Sequence, residues 1–218
     1  MDVAQLKAAQ DLVTAALRWA DEDQWTEQTP CSDWDVRQLV DHLITGNERF
    51  VVRLAGDQPG APTDRTAASP EELVDTYERT AAEVLTAFDQ PGPPTDRSDA
   101  STRDLVDTYD NSNVEVLEAF QQPAAMQRVS EWPIGPLQGT DALGLKITET
   151  LVHGWDLQQA LGTTIDFDPQ TIDEAYAWSQ PMLERIPEGR NPFGTPQKAP
   201  DDAPPLDRLA ALLGRTVS

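Results

Sequence analysis

Ile147-Thr148-Glu149-Thr150-Leu151-Val152-His153-Gly154-Trp155-Asp156-Leu157 carries the periodicity from which the fold can be read. Ile147, Leu151 and Trp155 recur every fourth residue, the spacing of a buried helical stripe. Glu149 and His153 lie one turn apart on one face, and Asp156 follows three residues later along it. Ionisable groups buried without a partner cost several kcal/mol each, roughly, and a metal ion is one partner that removes that cost. The chain has two histidines. The other, His42, sits in a second helical pattern with Trp34, Leu39, Leu43 and Phe50 around it. The expectation is that His42, Glu149 and His153 together hold one divalent metal ion. Two imidazoles and a carboxylate suit Zn²⁺ first, with Ni²⁺ or Fe²⁺ as alternatives, and leave positions for water or substrate. The competing reading makes both histidines ordinary core or surface residues and Glu149 a solvated helix acid.

Further residues are weighed around this set. Asp156 suits a carboxylate that orients a ligand from behind, or an occasional fourth ligand. Arg49, two turns beyond His42 on the same stripe, would meet either an anionic substrate or a surface acid. Trp34 and Trp155 read as core rather than as substrate platforms. Cys31, near a helix N-terminus, reads as a candidate activated thiol that nothing pairs with a base.

Outward from this stretch, the pattern predicts helices over residues 2–20, about 33–54, 70–88, 102–120, 140–161, 169–186 and 206–213. Ser32 reads as the N-cap of the second, with Asp35 three residues on, and Gly162 and Gly214 as stops. Residues 121–140 read as a long irregular connection, with Val129 to Ile134 the one strand candidate. Residues 187–205 are rich in Pro, Gly and charge and read as a wandering surface segment. Asp57-Gln58-Pro59-Gly60 recurs as Asp89-Gln90-Pro91-Gly92, and Leu73-Val74-Asp75-Thr76-Tyr77 recurs as Leu105-Val106-Asp107-Thr108-Tyr109. Residues 57–88 and 89–120 are therefore tandem copies of one unit. Each copy holds a Pro/Gly-rich stretch that can carry the chain back along the bundle before a helix of about 18 residues, about 27 Å, is laid down. The spare copy packs on the outside of the bundle or against a second chain, as in a homodimer.

The chain's 218 residues suit a single helical domain spanning 1–218, with 187–218 as an extended tail ending in a short helix. No signal sequence or membrane-length apolar run is read, so a soluble, cytoplasmic protein is expected. One cysteine forbids an internal disulfide. Thirty-eight acidic against 16 basic residues give a net charge of −22, a field that repels nucleic acid and anionic membrane. Three lysines, Lys7, Lys146 and Lys198, fit a salt-adapted composition as well as a merely soluble surface.

Thr29-Pro30-Cys31-Ser32-Asp33-Trp34, with Val36-Arg37 and Leu39-Val40-Asp41-His42-Leu43, resembles the second-helix signature of the DinB-like superfamily. More narrowly, it resembles the actinobacterial metal-binding proteins related to the N-terminal domain of mycothiol-dependent maleylpyruvate isomerase. Thr148 to Leu157 resembles that family's other signature, and Asp202 to Arg215 is similar to its usual tail. The resemblance implies an all-α, DinB-like four-helix bundle with a long crossover, here carrying one extra helix from the duplication and a short C-terminal helix. By motif match it places the metal on His42, Glu149 and His153. It implies a thiol-dependent transferase or isomerase that uses mycothiol against a small electrophilic substrate. A non-catalytic metal-binding stress or sequestration protein, or a structural interaction module, are the alternatives. The isomerase has a further C-terminal domain with no counterpart in this sequence, so maleylpyruvate isomerisation itself is not implied.

Overall fold

The computed structural model describes residues 1–31, 34–55, 97–132, 134–186, 191 and 193–217. Helix α1, Val3–Arg18, starts on a capping box in which the Asp2 carboxylate accepts from the Gln5 amide while Gln5 reaches back to Asp2. Its Leu6, Ala9, Val13 and Leu17 are buried. Helix α2, Val36–Ala55, turns Leu39, Val40, Leu43, Ile44 and Phe50 inward. It begins three residues later than its periodicity suggested. Asp35 and Gln38 form the reciprocal cap, at 2.8 and 3.0 Å, and Asp35 also pairs with Gln28 in an isolated antiparallel bridge. Ser32, the expected cap, lies outside the described residues.

Helix α3, Thr102–Gln121, is the helix of the second repeat copy and is capped by Ser101 and Asp104. The first copy and its expected helix, 70–88, lie outside the described residues. The end of the crossover is docked on α2. Arg37 donates to the carbonyls of Arg97 and Ala100, both at 2.7 Å, and the Arg97 guanidinium grips Asp41 and Glu48. Farther along the pair, Asn47 donates to Ser112 and Asn113, so α2 and α3 run parallel, the arrangement that a long crossover permits. Arg18 meets Asp110 while Thr14 receives from Asn113, so α1 and α3 are antiparallel.

The irregular connection contains a two-stranded antiparallel hairpin, β1 Val129–Trp132 and β2 Gly135–Gln138, with Trp132 opposite Gly135. The single strand candidate is thus half of a pair. Its partner, with Gly135 at φ +107° and Pro136, lacked any strand pattern. Trp132 is buried against Phe50, ring centroids 4.6 Å apart, which ties the hairpin to α2. Helix α4, Gly139–Leu161, is buried on nearly every side and stops at Gly162, whose φ of +61° supplies the left-handed cap. Helices α1 to α4 form the bundle, with α1 against α3 and α4, and α2 against the same two. Helices α5, Pro169–Arg185, and α6, Pro205–Leu212, pack on the outer side of α4. Among the described residues no helix is long and apolar enough to cross a membrane.

Two glycines test this packing. A Cβ on Gly154 would overlap the buried Phe167 ring and press on Val13, whereas one on Gly46, inside α2, meets nothing within 4 Å. Gly154→Ala should destabilise the protein by roughly 1–3 kcal/mol through overpacking. Gly46→Ala should stabilise it by about 0.5–1 kcal/mol by removing helix-interior glycine entropy. Denaturant midpoints of the two variants against wild type measure both.

Candidate metal centre

The site lies where α2 faces α4. Helix α4 is surrounded by α1, α2 and α5, so the polar positions of its central turns are carried into the interior with the apolar ones. Lys146, Glu149, His153 and Asp156 are all buried, Asp156 completely. From α2 the half-buried His42 reaches across, and its ring meets that of His153 edge to face with centroids 5.2 Å apart. Trp34 packs against His42 at 4.4 Å. Trp34 is also half-buried against the hydrophobic core, as its core reading expected.

Each buried charge has a partner. The Glu149 carboxylate accepts from the Lys146 ammonium at 3.3 Å, and that ammonium also lies 5.0 Å above the centre of the Phe50 ring. His153 Nδ1 is 3.0 Å from Asp156 Oδ2. Arg215, from the segment after α6, donates through Nε and Nη2 to the two Asp156 oxygens at 3.1 and 2.8 Å, and through Nη2 to Cys31 Sγ at 3.2 Å. Beside them, Trp155 Nε1 donates to Asp207 at 2.7 Å. Fully desolvated charges are tolerated here because they come as hydrogen-bonded sets.

The electrostatics divide the two histidines. Burial pushes His42 well below its ordinary 6.5, and the positive field of His153, Lys146, Arg49 and Arg215 pushes it further, leaving a neutral imidazole. Burial pulls His153 the same way but is outweighed by its hydrogen bonds to Asp156 and Cys31, which raise it to about 9. Burial would raise the Asp156 carboxyl, yet its bonds to His153 and Arg215 hold it below the usual range. Burial lowers Lys146, with Glu149 opposing. In a chain of net charge −22, the neighbours that act on His42 are cationic, a local reversal of the global field.

The expected set is therefore partly assembled. His42 and His153 are brought together, Asp156 stands behind His153, and Glu149 is turned to Lys146. Arg49 is lowered by burial and held within the field of Glu149 and Glu48. The expectation that no base pairs with Cys31 is corrected, because His153 lies beside it. Its sulfur lies within 4.8 Å of donor atoms of both His153 and Asp156, and this is the tight three-donor group among the described residues. Arg215 Nη2 touches both Cys31 and Asp156, however, so a fixed cation already serves that group. A metal shared with His42 would instead have to lie on the side of His153 that faces His42. With Nδ1 engaged by Asp156, such a metal would take Nε2, the usual arrangement of a metal-bound histidine backed by a carboxylate. The donor types of His42, Glu149 and His153 fit a divalent ion, which Glu149 would have to take up in exchange for Lys146. Lys146 and Arg215 were not singled out from the sequence. Lys146 lies on the stripe of Glu149, a visible signal, whereas Arg215 is 184 residues from Cys31 and 59 from Asp156, with no local signal.

The pH dependence of the metal-free protein follows with definite signs. His153 rises from 6.5 to about 9 on folding, so its stabilisation is fully present below pH 6.5 and is lost as pH rises through about 9. His42 is lowered on folding, so stability also falls as pH drops below 6.5. Denaturant unfolding with chelator present should show a maximum near neutral pH and an alkaline loss on the order of 1–3 kcal/mol. Asp156→Asn should flatten the alkaline limb.

Residues 6–158 match the mycothiol maleylpyruvate isomerase N-terminal domain family. Two relatives, uncharacterized proteins from two strains of Mycobacterium tuberculosis, are each 31% identical over 212 residues, covering 96% of this chain and 94% of theirs. The crystal structure of mycothiol-dependent maleylpyruvate isomerase superposes with a TM-score of 0.54 at 13% identity, and that of a mutant of the same enzyme with 0.53. The match covers 79% of this chain but 65% of that one, so this chain spans less than two thirds of the isomerase. At such identity the likeness is one of fold. By its match over most of the bundle, the chain belongs to the mycothiol maleylpyruvate isomerase N-terminal domain family.

Proposed function

We propose that this protein is a divalent-metal-dependent enzyme of the cytoplasm that uses a low-molecular-weight thiol, mycothiol by its family, to transfer to or isomerise a small electrophile. The observation that carries the reading is the meeting of His42 and His153 across α2 and α4, with Asp156 bound behind His153. In this reading His42, Glu149 and His153 are the ligands, with Zn²⁺ the preferred ion. When bound, the metal would lower the pKa of the thiol and hold it as thiolate.

The chain's own residues perform the rest. Trp34 fixes the His42 ring, and Asp156 orients His153 and compensates its charge. Lys146 holds Glu149, and with Glu149 as a metal ligand its ammonium would be available to an anion. Arg49 adds a second positive charge, so the site favours an electrophile that carries a carboxylate or similar group. The same local cationic field would attract such a substrate into a molecule whose overall charge repels it.

Elemental analysis of the purified protein should find about one divalent ion per chain by the site's three-donor chemistry. His42→Ala and His153→Ala should each remove it while the helical circular dichroism is kept. Turnover of an electrophile panel with the thiol should stop with chelator and return with Zn²⁺. Chelator-insensitive turnover would exclude the metal mechanism, and metal without turnover would indicate a binding protein.

A further inference from the structure

We infer that Arg215, delivered by the C-terminal segment, is a positioning residue for the metal ligand His153, acting through Asp156. The inference rests on the proposed metal site and assigns its outer support. Arg215 does not sit on a loose tail. Helix α6 ends in a Schellman motif, with the Arg215 amide donating to the Ala210 carbonyl and the Gly214 amide to that of Ala211, both at 3.0 Å. Gly214 adopts φ +90°, and a Cβ there would overlap the Phe193 carbonyl. The chain is thereby turned back so that Arg215 enters the interior, where it is 8% exposed. Its Nη1 donates to the Leu213 carbonyl at 3.0 Å, which fixes the plane of the guanidinium.

That plane is presented edge-on to Asp156 as a two-pronged fork, Nε to Oδ1 and Nη2 to Oδ2. Asp156 has no exposed surface, so without Arg215 it would be a buried carboxylate facing one imidazole. The fork sets the carboxylate's orientation, and Oδ2 in turn sets the position of His153 Nδ1. Cys31 receives the remaining reach of Nη2, which ties the chain ahead of α2 to the same fork. One side chain thus links the C-terminal segment, α4 and the approach to α2, the helix that brings His42. A neighbouring bond, Trp155 to Asp207, pins the same turn of α4 to α6. A lysine would preserve the charge at this place without the planar fork.

The test is the Zn²⁺ affinity of the full chain by chelator competition, with circular dichroism and melting recorded for every variant. Arg215→Gln and Asp156→Asn should each weaken binding about 10- to 100-fold. The double variant should be no weaker than the weaker single one, because both act through one chain of contacts. Arg215→Lys should fall between wild type and Arg215→Gln. Wild-type affinity in a folded Arg215→Gln, or losses that multiply in the double variant, would overturn the inference. Should Arg215→Gln fail to fold, Arg215→Lys decides, with wild-type affinity again overturning it. A wild type that binds no metal refutes the proposed function, and Arg215 is then judged on the metal-free protein. Its His153 Nδ1–H resonance should shift or broaden in Arg215→Gln or Arg215→Lys, and an unchanged resonance would overturn the inference.

Discussion

Charge buried on one helix is the constraint that organises this molecule. Lys146, Glu149, His153 and Asp156 are enclosed within α4, where each isolated charge would cost several kcal/mol, roughly. The bundle meets that cost by pairing: Lys146 with Glu149, His153 with Asp156, and Asp156 with Arg215. The pairing draws in parts of the chain that the four-helix core alone would not require. The C-terminal segment enters to supply Arg215, and the chain before α2 lies against the same guanidinium through Cys31. The C-terminal segment is electrostatically part of the interior.

This arrangement also explains how so acidic a chain surrounds His42 with positive groups. Net charge acts over the solvated surface and is screened there, whereas the neighbours of His42 act at short range in a medium of low polarity. Lys146, Arg49 and Arg215 therefore dominate locally although acids outnumber bases by 38 to 16 overall. The opposite displacements of the two imidazoles express the same geometry. His42 is acted on by burial and by the positive groups of His153, Lys146, Arg49 and Arg215, while His153 has a carboxylate and a thiol beside it.

Much of the fold was legible because the bundle helices repeat their apolar residues at one period, and α4 announced itself by the stripe of Ile147, Leu151 and Trp155. Gly162 marked its end correctly because only a left-handed residue closes that cap. The hairpin was half legible, since strands of four residues carry little alternation and Pro136 and Gly135 resemble a loop. The start of α2 was placed early because the sequence offers Ser32 and Asp35 alike as caps, and the described cap is Asp35 with Gln38. In the site, the histidine pair could be found because the chain has two histidines and each lies on a recognisable helix. The partners of Cys31 could not, since they arrive from α4 and from the far end of the chain. Lys146 was visible on the stripe of Glu149 but resembled a surface lysine, and only its burial gives it a role.

The proposed function requires one ion between α2 and α4, held by His153 on the side that faces His42. X-ray absorption at the zinc edge of the loaded protein tests it most directly. The spectrum should show two imidazoles at about 2.0–2.1 Å with oxygen completing the set. A sulfur neighbour at about 2.3 Å would place the ion beside Cys31 instead, and a spectrum with no imidazole scattering would contradict the site altogether.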